Sequence, residues 1–355
     1  MSPMIEEPVS AISATQETQE VRAPALKIPS IKTMPFPDRF NRRQIPASGL
    51  TALIHPLTDK VVNETNEFYL KHWPFPSEKA RKKFVSGGFC RLTCYYFPKA
   101  IDDRLHFACE LMAVLFLVDD ILETMSLEEG RKYNEKLMPI SRGEVLPDRN
   151  VPVEWITYDI WEGMRKCDKQ LADEILEPTF DFMRSQTDPR RLTKMNLSQY
   201  LDYRWDDVGK DFLSSVVRFT QGIHLSKEDL ALALPVDKNC ANHLSVLNDI
   251  WSYDKELIAA NTLHKEGGIM CNAVDIFANE ASMPIESAKR VLYQLCREWE
   301  LVHETLVAEV LAQRDTPEMR AYLKEIEYQI SGNEMWSRTT PRYSDLASHY
   351  ETVSW

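Results

Sequence analysis

The sequence predicts an all-α fold, a single-domain helical bundle, and three observations carry that prediction. Glycine is scarce: 11 in 355 residues, about 3% where about 7% is usual. So few glycines leave little material for tight strand–helix turns. No Asn-Gly or Asp-Gly pair occurs, and no stretch alternates apolar and polar residues between turn signals as strands do. From about residue 46 onward, long runs instead space their apolar residues at helical intervals.

Taken in order, residues 1–45 are polar and proline-bearing without periodicity and are expected to form a mobile arm. "LTDKVVNETNEFYLKHW" sets Val61, Val62, Phe68, Tyr69 and Trp73 among charged residues, as an amphipathic helix does. "RLHFACELMAVLFLVDDILETM" is apolar nearly all round, which places it at the centre of a bundle. "EWITYDIWEGMRKCDKQLADEILEPTFDFMRSQ" reads as one long amphipathic run that Pro178 kinks or divides. "NLSQYLDYRWDDVGKDFLSSVVRFTQG" and "NCANHLSVLNDIWSYDKELIAA" read as two further helices. "PIESAKRVLYQLCREWELVHETLVAEVLAQ" and "PEMRAYLKEIEYQISGNEMWSRT" complete the set, and 346–355 is expected to be a loose tail. No fixed-period repeat is present, so 46–345 is expected to be one domain.

Bulk properties narrow the function. The net charge of −12 argues against nucleic acid and anionic membrane, which select basic surfaces. It leaves an anionic small molecule possible where a bound cation reverses the local field. Seven cysteines without a CxxC pair fit neither a disulfide framework nor a zinc site, and a reducing cytoplasm is expected. The first twenty residues have no basic stretch followed by an apolar one, so no export signal is expected. "SGG" and "EGG" match neither a Walker loop nor a dinucleotide fingerprint. Phosphate chemistry would need another device.

Two constellations supply one. Asp119, Asp120 and Glu123 end the apolar run "LMAVLFLV". On a helix, 119 and 123 share a face, as do 120 and 123. Carboxylates so close must raise their pKa values, be solvated or bind a cation. An oxygen-rich cluster suits Mg²⁺, with water and a substrate phosphate completing the octahedron. In "NDIWSYDKE", Asn248, Ser252 and Glu256 step by four and form one stripe of an amide, a hydroxyl and a carboxylate, again hard oxygen ligands. Asp102–Asp103 is read as a helix start, where acids favour the macrodipole.

Arg204, Lys255 and the "RY" pair Arg342–Tyr343 are candidate diphosphate contacts, since the arginine fork suits phosphate. Taken singly, each cation is more often a surface ion pair. Phe116, one turn before Asp119, stands with Tyr95, Tyr96, Phe97, Phe180, Phe182 and Trp336 in apolar surroundings. Each could simply be core. Around a cavity facing metal ions, their faces would stabilise a carbocation without offering a nucleophile.

The four motifs together, "DDILE", Arg204, "NDIWSYDKE" and "RY", resemble those of the class I terpene synthases in order and spacing, over about 46–345. The resemblance implies the class I terpenoid synthase bundle around a central active-site cavity, farnesyl diphosphate as substrate and three Mg²⁺. It implies a sesquiterpene cyclase that releases diphosphate. Asp119 would bridge two metals, and Asn248, Ser252 and Glu256 would hold the third. Arg204, Lys255, Arg342 and Tyr343 would bind the diphosphate, while Tyr96, Phe116, Phe182 and Trp336 would stabilise cations. Glu123 stands where many relatives carry Asp and reaches about one methylene further, so it is expected, like Asp120, behind the ligands or linked through water. The acids are expected open at the cavity mouth, not buried. A chain-elongating prenyltransferase would show a second DDxxD motif, and a class II cyclase a DxDD acid; neither is present. A second sesquiterpene cyclase type differing only in cavity contour, and a helical binding module with a relic metal site, remain as alternatives.

Overall fold

The computed structural model describes residues 45–263, 266 and 269–344. The expected arm, Ile45 aside, and the expected tail lie outside the described residues. The helices are α1 Thr58–His72, α2 Glu78–Gly87, α3 Phe89–Tyr96, α4 Leu105–Leu122, α5 Leu127–Ser141, α6 Pro152–Cys167, α7 Lys169–Ser185, α8 Leu197–Asp207, α9 Lys210–Gln221, α10 Lys227–Leu263, α11 Ala273–Ala281, α12 Ile285–Gln313, α13 Pro317–Thr339 and α14 Pro341–Ser344, with a 3-10 turn at Pro189–Leu192. Among the described residues there is no strand.

α4 occupies the centre, as its composition requires. Leu105, Ala108, Cys109, Leu111, Ala113, Val114 and Leu117 are buried on several sides of it, and α1, α3, α6 and α9 pack around it. α10 forms the opposite wall, against α8, α9, α11, α12 and α13. α13 and α3 approach closely: a Cβ on Gly332 would lie 2.8 Å from the Tyr95 carbonyl oxygen, so only glycine lets these backbones meet.

Two buried ionic networks tie the bundle. The ammonium of Lys210, fully buried, lies 2.7 Å from Asp237, which also accepts from Ser214 and from Tyr322 (2.8 Å), joining α9, α10 and α13. Arg297 on α12 donates to Glu300 and to Glu334 (2.6 Å). Glu300 in turn accepts from Ser48 Oγ at 2.9 Å and Gly49 N at 3.1 Å, which fixes where the chain enters. His243, Glu300 and Glu334 bring oxygen and nitrogen atoms within 4.8 Å of one another. Arg297 already supplies the positive charge there, so the cluster is an ion-pair network. Breaking one member of such a network is costly because it strands a buried charge.

The structure corrects three element boundaries. The run 154–186 is divided at Asp168, not at Pro178. Asp168 is extended, ends α6, and caps α7 by accepting from Leu171 N; Pro178 stays inside α7 and merely forfeits one helical hydrogen bond. The run 196–222 is two helices. Gly209, at φ 68°, separates α8 from α9, and a Cβ there would meet the Phe182 ring at 3.0 Å. α10 begins at Lys227, well before the expected start, and continues through Pro235. α2, α3, α5 and α11 were not anticipated.

Candidate functional site

A cavity of about 230 Å³ opens between α4, α7, α8, α10 and α13. It is lined by Asp119, Glu123, Arg204, Asn248, Ser252, Lys255, Glu256, Arg342 and Tyr343, and also by Tyr96, Phe116, Phe182 and Trp336. The three sequence motifs and the terminal pair thus meet at one place. Of the other aromatic candidates, Phe97 and Phe180 are fully buried in the core, and Tyr95 packs under Gly332.

The acidic wall comes from the last turn of α4. Burial, then the negative charges of Glu123 and Asp120, push the Asp119 carboxyl up to about 7. Its Oδ1 accepts from Gln186 Nε2 at 3.0 Å. Asp120 is buried rather than open at the cavity mouth, and it does not line the cavity. Lys83, 3.5 Å away, and Arg342, 3.9 Å away, outweigh its burial and hold its pKa below the usual carboxylate value. Glu123 accepts from Lys255 Nζ at 3.2 Å, so its charge is already engaged.

The α10 wall is arranged by its own hydrogen bonds. Asn248 Nδ2 donates to the Tyr343 hydroxyl at 2.9 Å, which leaves the amide oxygen as a ligand atom. Ser252 Oγ donates to Glu256 Oε1 at 2.5 Å, and Asn272 Nδ2 donates to Glu256 Oε2 at 2.9 Å. Asp249, beside Asn248, also lines the cavity, but its oxygens are taken by protein groups. It accepts from Tyr200 (2.5 Å) and Ala273 N (2.7 Å) and lies 3.4 Å from Arg204. Arg204 is also paired with Asp207, three residues on. Burial opposes its charge, but Tyr200, Asp249 and Asp207 raise its pKa well above the ordinary value.

These donors fit Mg²⁺. Oxygen atoms of hard character face one another across the cavity, no soft ligand dominates, and Gln186 Oε1 is buried beside Asp119 without a hydrogen-bond partner. Asp119, Glu123, Asn248 and Glu256 share this cavity with Arg204, Lys255 and Arg342, so oxygen ligands and phosphate-binding cations stand together in it.

The aromatic part is equally fixed. Phe116 stacks on Phe89 at 4.1 Å and 12°, and Phe182 lies parallel to Phe212 at 6.1 Å. Trp336 Nε1 donates to the Gly88 carbonyl at 3.1 Å, and its ring meets Tyr343 edge-on at 5.4 Å. The Tyr96 hydroxyl donates to Asn333 Oδ1 at 2.9 Å. Gln186, Arg191, Asp207 and Asn333 also line the cavity and were not singled out from the sequence. Two had a signal: Asp207 follows Arg204 by three, and Asn333 precedes Trp336 by three, so each shares a helix face with a candidate.

Among the described residues, no helix is long and apolar enough to cross a membrane. A family model described as terpene synthase family 2, C-terminal metal binding, matches residues 110–300. The aristolochene synthase of Aspergillus terreus is 57% identical over 84% of this chain and 94% of its own length. The (+)-aristolochene synthase of Penicillium expansum is 55% identical over 85% and 92%. The crystal structure of aristolochene synthase from Penicillium roqueforti superposes with a TM-score of 0.75 at 49% identity, covering 83% of this chain and 99% of that one.

Proposed function

The chain belongs to the terpene synthase family, and from that premise we propose that it is a class I sesquiterpene cyclase turning farnesyl diphosphate into aristolochene. Use of a divalent metal and of a prenyl diphosphate goes with the family. The finer reading is three Mg²⁺, farnesyl diphosphate and a cytoplasmic enzyme without a nucleic-acid or membrane partner. The observation that carries it is the meeting, in one cavity, of the Asp119 carboxylate, the Asn248–Ser252–Glu256 stripe and four aromatic rings. Relatives named aristolochene synthases at 55–57% identity support the product.

In this reading Asp119 holds metal from α4, and Asn248, Ser252 and Glu256 hold it from α10. Mg²⁺, when bound, neutralises the diphosphate and the charge that develops as it leaves. Arg204, Lys255, Arg342 and Tyr343 hydrogen-bond the diphosphate oxygens and strengthen their hold as the carbon–oxygen bond breaks. Arg204, Lys255 and Arg342 each lie beside a carboxylate with which phosphate competes, which couples substrate binding to rearrangement of the cavity wall. Excluding water keeps the allylic cation from being quenched. Ring closure with loss of a proton to the released diphosphate gives germacrene A; return of a proton to a bicyclic cation, hydride and methyl shifts and a final proton loss then take place against Tyr96, Phe116, Phe182 and Trp336. Their faces stabilise positive charge by about 0.5–2 kcal/mol each.

The test is incubation of the purified chain with farnesyl diphosphate and MgCl₂, with gas chromatography and mass spectrometry of the extract. The expected outcome is aristolochene with equimolar diphosphate. A longer prenyl diphosphate would assign elongation instead, and another C15 hydrocarbon would keep the cyclase while replacing the product.

A further inference from the structure

Four cations line the cavity: Arg191, Arg204, Lys255 and Arg342. Three face carboxylates. Arg204 pairs with Asp207 and Asp249, Lys255 with Glu123 at 3.2 Å, and Arg342 with Asp120 at 3.9 Å. Arg191 differs. Among the described residues no carboxylate comes within ion-pair distance of it. Its Nη1 donates to the Gln186 carbonyl at 2.5 Å, and its Nε, like that of Arg204, is buried with no hydrogen-bond partner. A guanidinium carries five donors; here one is given to a carbonyl and the one on Nε is buried unpaired. Leaving a buried donor unsatisfied costs stability unless an acceptor arrives.

Its position says which acceptor. Arg191 belongs to the Pro189–Leu192 turn between α7 and α8. Its neighbours are open to solvent: the Arg190 side chain is half exposed and Leu192 is 43% exposed. Arg191 therefore stands where the cavity meets water. The turn is joined to the acidic wall through Gln186, whose carbonyl takes the Arg191 hydrogen bond and whose amide donates to Asp119. Asp207 and Asp119 lie near enough to favour its charge against burial, without touching it.

We propose that Arg191 is a further diphosphate-binding residue, the one that first receives the substrate's diphosphate at the solvent edge of the cavity. This rests on the reading above that the substrate is a prenyl diphosphate. At Arg204, Lys255 and Arg342 phosphate competes with a neighbouring carboxylate; at Arg191 it competes with none, only the Gln186 carbonyl being bound. A planar fork held at one corner by the Gln186 carbonyl presents its remaining donors to two phosphate oxygens. Its contribution falls on capture of the anion, so it enters KM and kcat/KM more than kcat.

The experiment is calorimetric titration of inorganic diphosphate, in the presence of MgCl₂, into the wild type, Arg191→Gln and Arg191→Lys, with steady-state kinetics on farnesyl diphosphate in parallel. Loss of a charge-assisted contact predicts diphosphate binding weaker by roughly 10–100-fold in Arg191→Gln. KM should rise similarly, kcat should change less than about threefold, and the melting temperature should be unaltered. Arg191→Lys keeps a charge and should recover most of the affinity. Diphosphate affinity in Arg191→Gln within twofold of wild type overturns the assignment. So does a fall in kcat with unchanged affinity, which marks Arg191 as a brace for Gln186. If the wild type itself neither binds Mg²⁺-diphosphate nor consumes farnesyl diphosphate, the proposed function falls with it.

Discussion

The two halves of the cavity are built by different rules. In the polar half several groups are held by opposite charges: Asp120 by Lys83 and Arg342, Glu123 by Lys255, Arg204 by Asp207 and Asp249. In the apolar half the rings are held by other rings and by hydrogen bonds to neutral groups, as Phe116 by Phe89 and Trp336 by the Gly88 carbonyl. The polar half can exchange partners when an anion and metal enter. The apolar half has nothing to exchange and keeps its contour. Rate should therefore reside in the first and product identity in the second.

The polar half is itself uneven. The α10 wall satisfies its own ligands through Asn272, Tyr343 and the Ser252–Glu256 hydrogen bond. The α4 wall sets Asp119 against two like charges with one donor, Gln186. The first is organised without a cation, and the second needs one.

Predictions follow that contrast, from the largest effect down. Asp119→Asn should lower kcat for diphosphate release by about 10²–10³ or more, the scale of losing a main transition-state contact; wild-type kcat in that variant would refute the metal assignment. Asn248→Ala should cost about 10–10² in kcat and raise the Mg²⁺ concentration needed for half-activity, because two other ligands remain on the stripe. Trp336→Leu should keep diphosphate release within about tenfold of wild type while shifting the hydrocarbons toward earlier products, since it removes only a cation–π contact.

A fourth prediction lies outside the cavity and sharpens the distinction between catalysis and stability. Burial pushes the Glu325 carboxyl up to about 8 against the pull of the Lys99 amide, and its Oε2 has no partner. A carboxyl raised in the folded state favours folding fully only below its unfolded pKa, and that contribution is lost as pH rises towards 8. Glu325→Gln should melt like wild type near pH 4.5 and above it near pH 8, by scanning calorimetry. An identical pH dependence in both would show that Glu325 does not titrate in this range.

Sequence made the site more legible than its supports. The motifs on α4 and α10 stood out because polar residues interrupt apolar helices at a helical repeat. α12 and α13 matched to within a residue because proline marks each start. The break at Asp168 was misplaced because Pro178 is the louder local signal, although an aspartate ahead of an amphipathic run is itself an N-cap signature. The Gly209 break depends on a positive φ and on the Phe182 ring, neither visible locally. The acids were expected unburied at the cavity mouth; the burial of Asp120 depends on Lys83 and Arg342, which only folding brings near. Gln186 and Arg191 sit in a loop with no periodicity to mark them.

The most direct measurement of the central claim is a single-turnover comparison of Asp119→Asn and Trp336→Leu, following diphosphate and hydrocarbon from the same farnesyl diphosphate sample. The division of labour predicts that the first variant releases almost no diphosphate. The second should release it readily and yield an altered hydrocarbon. Diphosphate release lost equally in both, or an unchanged product from Trp336→Leu, would contradict it.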